Sequence, residues 1–272
     1  MAVQPIHIDD PGDPRIAFYH AIRERDLAGR ERRFVAEGKV VLNVLFASRR
    51  FRAESALILD RKLPGMAATL SLAPAGMPVY VASQPVMDAI AGFHIHRGVL
   101  AIGLRQPQQG PDTGADALLA GLKDDALVMA LSGISNHDNI GAIFRNAAAF
   151  EADAILLDAT CCDPLYRKAI RVSVGAALKV PFLMLADETE LFATLERHGF
   201  SQIALSPAGR DDIADITRNG RTALWLGSEG HGLPRATMAR MRTARIAMSD
   251  TFDSLNVATA GAIALHRLWR KN

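Results

Sequence analysis

Five short apolar runs recur between residues 126 and 228: ALVMALS, DAILLDA, VPFLML, QIALSP and ALWLGS, with helix-like segments between most of them. Strands that are apolar along their whole length are buried on both faces. That pattern predicts an α/β fold, a mostly parallel sheet with helices on both sides. Such sheets bind ligands outside the carboxyl ends of their strands, so chemistry is expected among the polar residues that follow each run.

The first part of the chain is organised differently. SALILD, PVYVAS and GVLAIGL are strand-like, RIAFYHAIRERDL has helical spacing, and FVAEGKVVLNVLFAS reads as a strand, a Glu-Gly turn and a helix. RQPQQGPDTGAD, at residues 105–116, is rich in Gly, Pro and Gln, has no periodicity and reads as a linker. The expected organisation is a smaller N-terminal α/β domain over residues 1–104, the linker, and a C-terminal domain over 117–272. With 272 residues, 49% of them hydrophobic, the chain can bury one large core or two modest ones. No apolar run approaches the roughly 18–20 residues that span a bilayer. The N-terminus, MAVQPIHIDDPGDPR, lacks the basic-then-apolar order of a signal peptide. The expected compartment is the cytoplasm, with no membrane partner. Cys161 and Cys162 are adjacent and give no CxxC spacing, which argues against a disulfide or a zinc site.

The net charge is only +2, but it is unevenly spread. Arg23, Arg25, Arg30, Arg32, Arg33, Lys39, Arg49, Arg50 and Arg52 lie among Glu24, Asp26, Glu31 and Glu37. Such an excess can attract a polyanion, and it is also what a solvated face of mixed charge looks like. Arg23, Arg32, Arg33, Lys39, Arg49 and Arg50 are the candidate RNA contacts.

Three polar clusters follow apolar runs. In SNHDNIGAIFRNAAAF, helical spacing of Ile140, Ile143, Phe144, Ala147 and Ala148 places a helix start near Asn139 or Ile140, with Asn139 as the cap. Arg145 then projects from the edge of the apolar stripe. In LWLGSEGHGLP, three glycines in six residues permit tight turns, and Glu229 is an exposed carboxylate. The order G-x-x-G-x-G is not the dinucleotide fingerprint. The third cluster combines ARIAMS, a short strand, with SLNVATAGAIALHRL, a helix for which Ser254 is the expected cap. Asn256 is then a second polar side chain where one cap suffices. Each cluster alone is also what an ordinary cap or glycine turn looks like.

In this order, the clusters resemble the three motifs of the SpoU, or TrmH-type, RNA 2′-O-ribose methyltransferases of the SPOUT superfamily. Asn139, Gly141 and Arg145 match the first motif, Gly227 through Leu233 the second, and Ile246, Met248 and Ser254 through Val257 the third. YRKAIRVSVGAALKVPF resembles an intermediate family segment, and FVAEGKVV with HRGVLAI resembles, more loosely, the small substrate-binding domain. Ala247 stands where the family often has Pro, and SDTFD where it often has Gly, so this loop is expected to be shaped differently.

The resemblance implies a C-terminal trefoil knot that holds S-adenosylmethionine around Gly227, Ile246 and Leu255, with Ser206, Gly232 and Met248 beside them. It implies Asn139, Arg145, Glu229, Ser254 and Asn256 as catalytic residues. Arginine is normally always protonated, so Arg145 is expected to position and polarise rather than accept a proton. The resemblance further implies an rRNA or tRNA substrate, a homodimer through the C-terminal domain and no metal. The alternative is a non-catalytic RNA-binding or ribosome-assembly factor that keeps the fold.

Overall fold

The computed structural model describes residues 4–20, 32–92, 95, 97–106, 114–249 and 251–269. The strands are β1 (Pro5–Ile8), β2 (Arg33–Glu37), β3 (Phe51–Leu59), β4 (Val79–Ala82), β5 (Val99–Arg105), β6 (Leu127–Leu131), β7 (Ala154–Asp158), β8 (Phe182–Leu185), β9 (Ser201–Leu205), β10 (Asp211–Asp212), β11 (Thr222–Leu226) and β12 (Arg242–Arg245). The described α-helices are α1 (Lys39–Phe46), α2 (Ala67–Leu70), α3 (Gln84–Ala91), α4 (Ala115–Ala120), α5 (His137–Ala149), α6 (Arg167–Val172), α7 (Ala176–Lys179), α8 (Glu188–Arg197), α9 (Arg235–Met238) and α10 (Val257–Leu268).

The chain divides into two compact units. One is Met1–Pro107 with Asp163–Lys179; the other is Gln108–Cys162 with Val180–Asn272. Residues 163–179, expected in the C-terminal domain, thus group with the first unit. The reason is packing rather than sequence adjacency: α6 lies on β2, and its Arg167 faces the buried carboxylate of Glu37 at 3.3 Å.

The first unit is built on a five-stranded sheet in the order β1-β4-β3-β5-β2. The β1/β4 and β4/β3 pairs are parallel, and the β3/β5 and β5/β2 pairs antiparallel. The strand–turn–helix reading of FVAEGKVVLNVLFAS is realised as β2, Gly38 and α1. Gly38 takes φ +100, a conformation that glycine adopts without steric cost. The described part of the RIAFYHAIRERDL segment holds a 3-10 helix, Pro14–Tyr19, in place of the expected α-helix. Proline at its start and the Asp13 side chain, which accepts from Arg15 N, set that turn. Residues 21–31, and with them Arg23, lie outside the described residues.

The second unit carries seven strands in the order β10-β12-β9-β11-β6-β7-β8, and every pair is parallel. Alternation along the strands splits the core. Val128, Ala130, Leu156 and Trp225 face Leu191, Phe192 and Leu195 of α8. On the other face, α10 approaches so closely that a Cβ at Gly261 would lie 2.8 Å from Leu226 Cδ1. Trp225 is fully buried, and its indole N–H donates to Gln202 Oε1 at 2.9 Å, so its polar atom keeps a partner. Removing a side chain of this size from such a core costs about 3–5 kcal/mol.

Candidate active site

Three loops at the carboxyl ends of β9, β11 and β12 enclose a cleft of about 470 Å³. That volume is in the range of sites that bury small organic ligands. All six expected cofactor residues, Ser206, Gly227, Gly232, Ile246, Met248 and Leu255, line it. So do Glu229, Ser254 and Asn256. Ile246 and Met248 are not strand residues as ARIAMS suggested: β12 ends at Arg245, and both lie in the segment beyond it.

The β11 loop owes its shape to close backbone packing. A Cβ on Gly227 would lie 2.4 Å from Gly232 C and Leu233 N, closer than any real contact. The loop therefore folds back on itself, with Gly232 N donating to Ser228 O at 3.0 Å. Glu229 and His231 sit exposed at its tip.

Both helix starts differ from the sequence expectation. α5 begins at His137, capped by Asn136, whose side chain accepts from Asp138 N at 2.8 Å. Asn139 is the third residue of the helix and only 6% exposed. α10 is capped not by Ser254, which is exposed, but by Asn256. The Asn256 carbonyl oxygen accepts from Ala258 N at 3.0 Å and Thr259 N at 3.2 Å. Its amide donates to Asn139 Oδ1 at 2.9 Å. One asparagine can do both because its side chain carries an acceptor and two donors. A serine could cap but offers a single short hydroxyl. On α10, Ala258, Gly261, Ala264, Leu265 and Leu268 are buried, while Val257 and Ala260 line the cleft.

Asn146, on α5, donates to Ala258 O at 2.9 Å and fastens the two helices together. Arg145, next to it, is exposed and does not line the cleft. It lies about 9 Å along the helix axis from Asn139, at 1.5 Å per residue. The structure thus joins Asn139 to Asn256 at the cleft and leaves Arg145 facing outward.

A layer of polar residues beneath the loops had not been singled out in the sequence. Glu188 accepts from Ser132 Oγ at 3.4 Å and from the Thr237 hydroxyl, linking the end of β6 to α9. Asp158 is buried and accepts from Gly133 N at 3.3 Å, Thr160 N at 3.0 Å and Thr160 Oγ1 at 2.6 Å. Burial pushes its pKa up, but hydrogen bonds from Ser132, Thr160, Gly133 and Cys161 outweigh it, and the net shift is downward. The neighbouring Cys161 thiol is pushed up to about 12, chiefly by burial, which keeps it neutral and unreactive. The signal for this layer was available: Ser132, Asp158 and Thr160 all stand at the ends of apolar runs.

Of the expected RNA contacts in the first unit, Arg32, Lys39 and Arg49 are exposed. Arg33 is committed to Glu54 at 2.6 Å and stacks over Phe18. Arg50 is largely buried, and burial, reinforced by Arg105, lowers its pKa to about 10. Among the described residues, no group of His, Cys, Asp and Glu is placed to hold a metal, and no helix is long and apolar enough to cross a membrane.

The model of the SpoU rRNA Methylase family matches residues 126–266. An uncharacterized tRNA/rRNA methyltransferase of Mycobacterium tuberculosis is 39% identical, over 96% of this chain and 90% of that protein. The 23S rRNA (guanosine-2′-O-)-methyltransferase RlmB of Acinetobacter baylyi is 29% identical, over 73% of this chain and 80% of its own length. A crystal structure of an RNA 2′-O ribose methyltransferase superposes with a TM-score of 0.79 at 25% identity, covering 96% of this chain and 97% of the other. An AdoMet-bound rRNA methyltransferase from Sinorhizobium meliloti shares the fold, with a TM-score of 0.79 at 22% identity over 97% of each chain. With a family model matching more than half of its length and a relative 39% identical along nearly all of it, the chain belongs to the SpoU rRNA methylase family.

Proposed function

We propose that this protein transfers a methyl group from S-adenosylmethionine to a ribose 2′-hydroxyl of RNA, with rRNA as the substrate class. One observation carries the reading. The 2.9 Å bond from Asn256 to Asn139 ties the first and third motif segments together beside a cleft that the second motif lines. The cleft also suits the cofactor: Leu226, Ile246 and Leu255 offer apolar walls for an adenine, and the glycine-rich loop offers backbone polar groups without side chains in the way. Bound there, S-adenosylmethionine supplies an electrophilic sulfonium methyl.

The residues of the chain do the rest. Methyl transfer to the ribose oxygen would release S-adenosylhomocysteine, and the hydroxyl proton would pass to solvent. Arg145, permanently charged, steadies the developing negative charge and clamps an RNA phosphate. Asn256 and Asn139 hold the mouth of the cleft in register, and Glu229 and Ser254 bind at its rim. Arg32, Lys39 and Arg49 contribute phosphate contacts from the first unit. The reading includes the trefoil knot that the family resemblance implies, supported by β11 lying between β9 and β6 while β12 lies beyond β9. It includes a cytoplasmic homodimer through the second unit, for which the half-buried Ala262 and Ile263 of α10 offer small and apolar contact surface.

The test is to incubate the protein with S-adenosylmethionine and RNA from cells lacking its gene, then map ribose methylation by mass spectrometry. A new 2′-O-methyl group on rRNA is expected. Methylation of a base overturns the chemistry, and methylation of tRNA alone overturns the substrate class. RNA binding without cofactor binding would identify a non-catalytic factor.

A further inference from the structure

The first unit contains a second cavity, of about 550 Å³. Lys39, Lys62, Arg97 and Arg171 line it, drawn from four separate stretches of chain. Lys39 is tethered, donating to Gly65 O at 2.9 Å. Lys62, Arg97 and Arg171 have no ion-pair partner among the described residues. Glu37 is the one acid in the lining, and its carboxylate is buried against Arg167 at 3.3 Å. The cavity is therefore lined by four cations against one acid, which Arg167 already pairs. Arg97 leans over Gly38, its Nη1 3.2 Å from where a Cβ would stand, at the start of α1. That helix has no side-chain cap, so its free N–H groups add to the positive field.

A second feature shares the cavity. Val40 and Val174 are 57% and 40% exposed, and both line it. Exposed aliphatic side chains beside unpaired cations suit a ligand that is flat and apolar at one end and anionic at the other. We propose that this cavity is a subsite for one unpaired RNA nucleotide, its phosphate held by Lys62, Arg97 and Arg171 and its base resting on Val40 and Val174. The inference rests on RNA being the substrate. It adds Lys62, Arg97 and Arg171 to the contacts expected from the basic segment, and it specifies single-stranded rather than duplex RNA. A duplex keeps its bases stacked and cannot place one on the valines.

The experiment measures binding of the full chain to a short single-stranded RNA, and to a duplex of the same sequence, across a salt titration. The Lys62→Ala/Arg97→Ala variant should bind the single strand about 10-fold more weakly. Its log–log salt slope should fall by about 0.7, the value for one phosphate contact on a single strand. Val40→Ser/Val174→Ser should weaken the same binding with the slope unchanged. S-adenosylmethionine affinity should stay at the wild-type value in both, and their circular dichroism and thermal melting should match wild type, which checks that the first unit folds. Unchanged single-strand affinity and slope in the Lys62/Arg97 variant overturns the subsite, as does an equal loss for the duplex. Wild-type protein that binds the single strand but methylates no RNA overturns the proposed function and leaves the subsite to be decided by the variants. Wild-type protein that binds no RNA overturns both.

Discussion

The side-chain amide of Asn256 donates to the side-chain oxygen of Asn139 across 2.9 Å, joining residues 117 positions apart in sequence. The same asparagine caps α10. Cap and cross-link can be separated by substitution. Asn256→Ser keeps a capping oxygen but cannot reach Asn139, whose oxygen is then left buried without a donor, a loss of about 1–3 kcal/mol. Asn256→Ala loses the cap as well, about 1 kcal/mol more. Methyl transfer should fall alike in both variants, because it follows the cross-link. Urea titration and a methylation assay check this, and wild-type turnover in the serine variant would detach the bond from catalysis.

Arg145→Ala should reduce methyl transfer by about 100-fold or more, the scale of losing a charge that stabilises a transition state. Cofactor affinity should hardly change, since Arg145 does not line the cleft. Arg145→Lys keeps the charge without the planar fork and should fall between. Single-turnover kinetics with calorimetry of S-adenosylmethionine binding separates the two effects. Near-normal turnover in the alanine variant removes Arg145 from the mechanism.

Gly227→Ala would set a methyl group 2.4 Å from the backbone of Gly232 and Leu233, so the loop must open. Gly230→Ala, in the same loop, meets nothing within 4 Å. Cofactor affinity measured by calorimetry should drop about 10-fold or more in the first and stay near wild type in the second. Equal affinities would mean that the loop fold does not shape the site.

Asp158 has a folded pKa below its unfolded value. Its stabilising contribution is therefore complete above the usual carboxylate range, near pH 4, and is lost as pH falls through the folded value. Asp158→Asn should be less stable than wild type at pH 7 by about 1–3 kcal/mol. The gap should narrow on acidification, as urea titrations at pH 7 and below the carboxylate range would show. A gap that stays constant with pH would mean that the charge of Asp158 is not what stabilises this region.

Five strands of the second unit, β6, β7, β8, β9 and β11, were legible because each is a short apolar run, whereas β10 and β12 are polar. Their order was not, since nothing local tells β11 to lie between β9 and β6. The motif residues were legible as a set, yet the sequence named Ser254 and Asn139 as caps where Asn256 and Asn136 serve. Any Ser or Asn near a helix start satisfies the local rule, and the choice fell to a partner more than a hundred residues away. Residues 163–179 were matched only to an intermediate family segment, which says nothing of the sheet they cover. The outward position of Arg145 followed from its place at the edge of the apolar stripe.

The place of β11 in the sheet has a consequence for how the molecule is made. β6 and β9 are translated first, and in the folded sheet residues 222–226 lie between them. Until those residues leave the ribosome, neither strand has its native neighbour on that side, and unpaired strand edges invite pairing with other chains. Most of the cleft lining, from Leu226 to Ala260, follows Thr222 in the chain, so a chain stalled before it should expose sheet edges and lack most walls of the site.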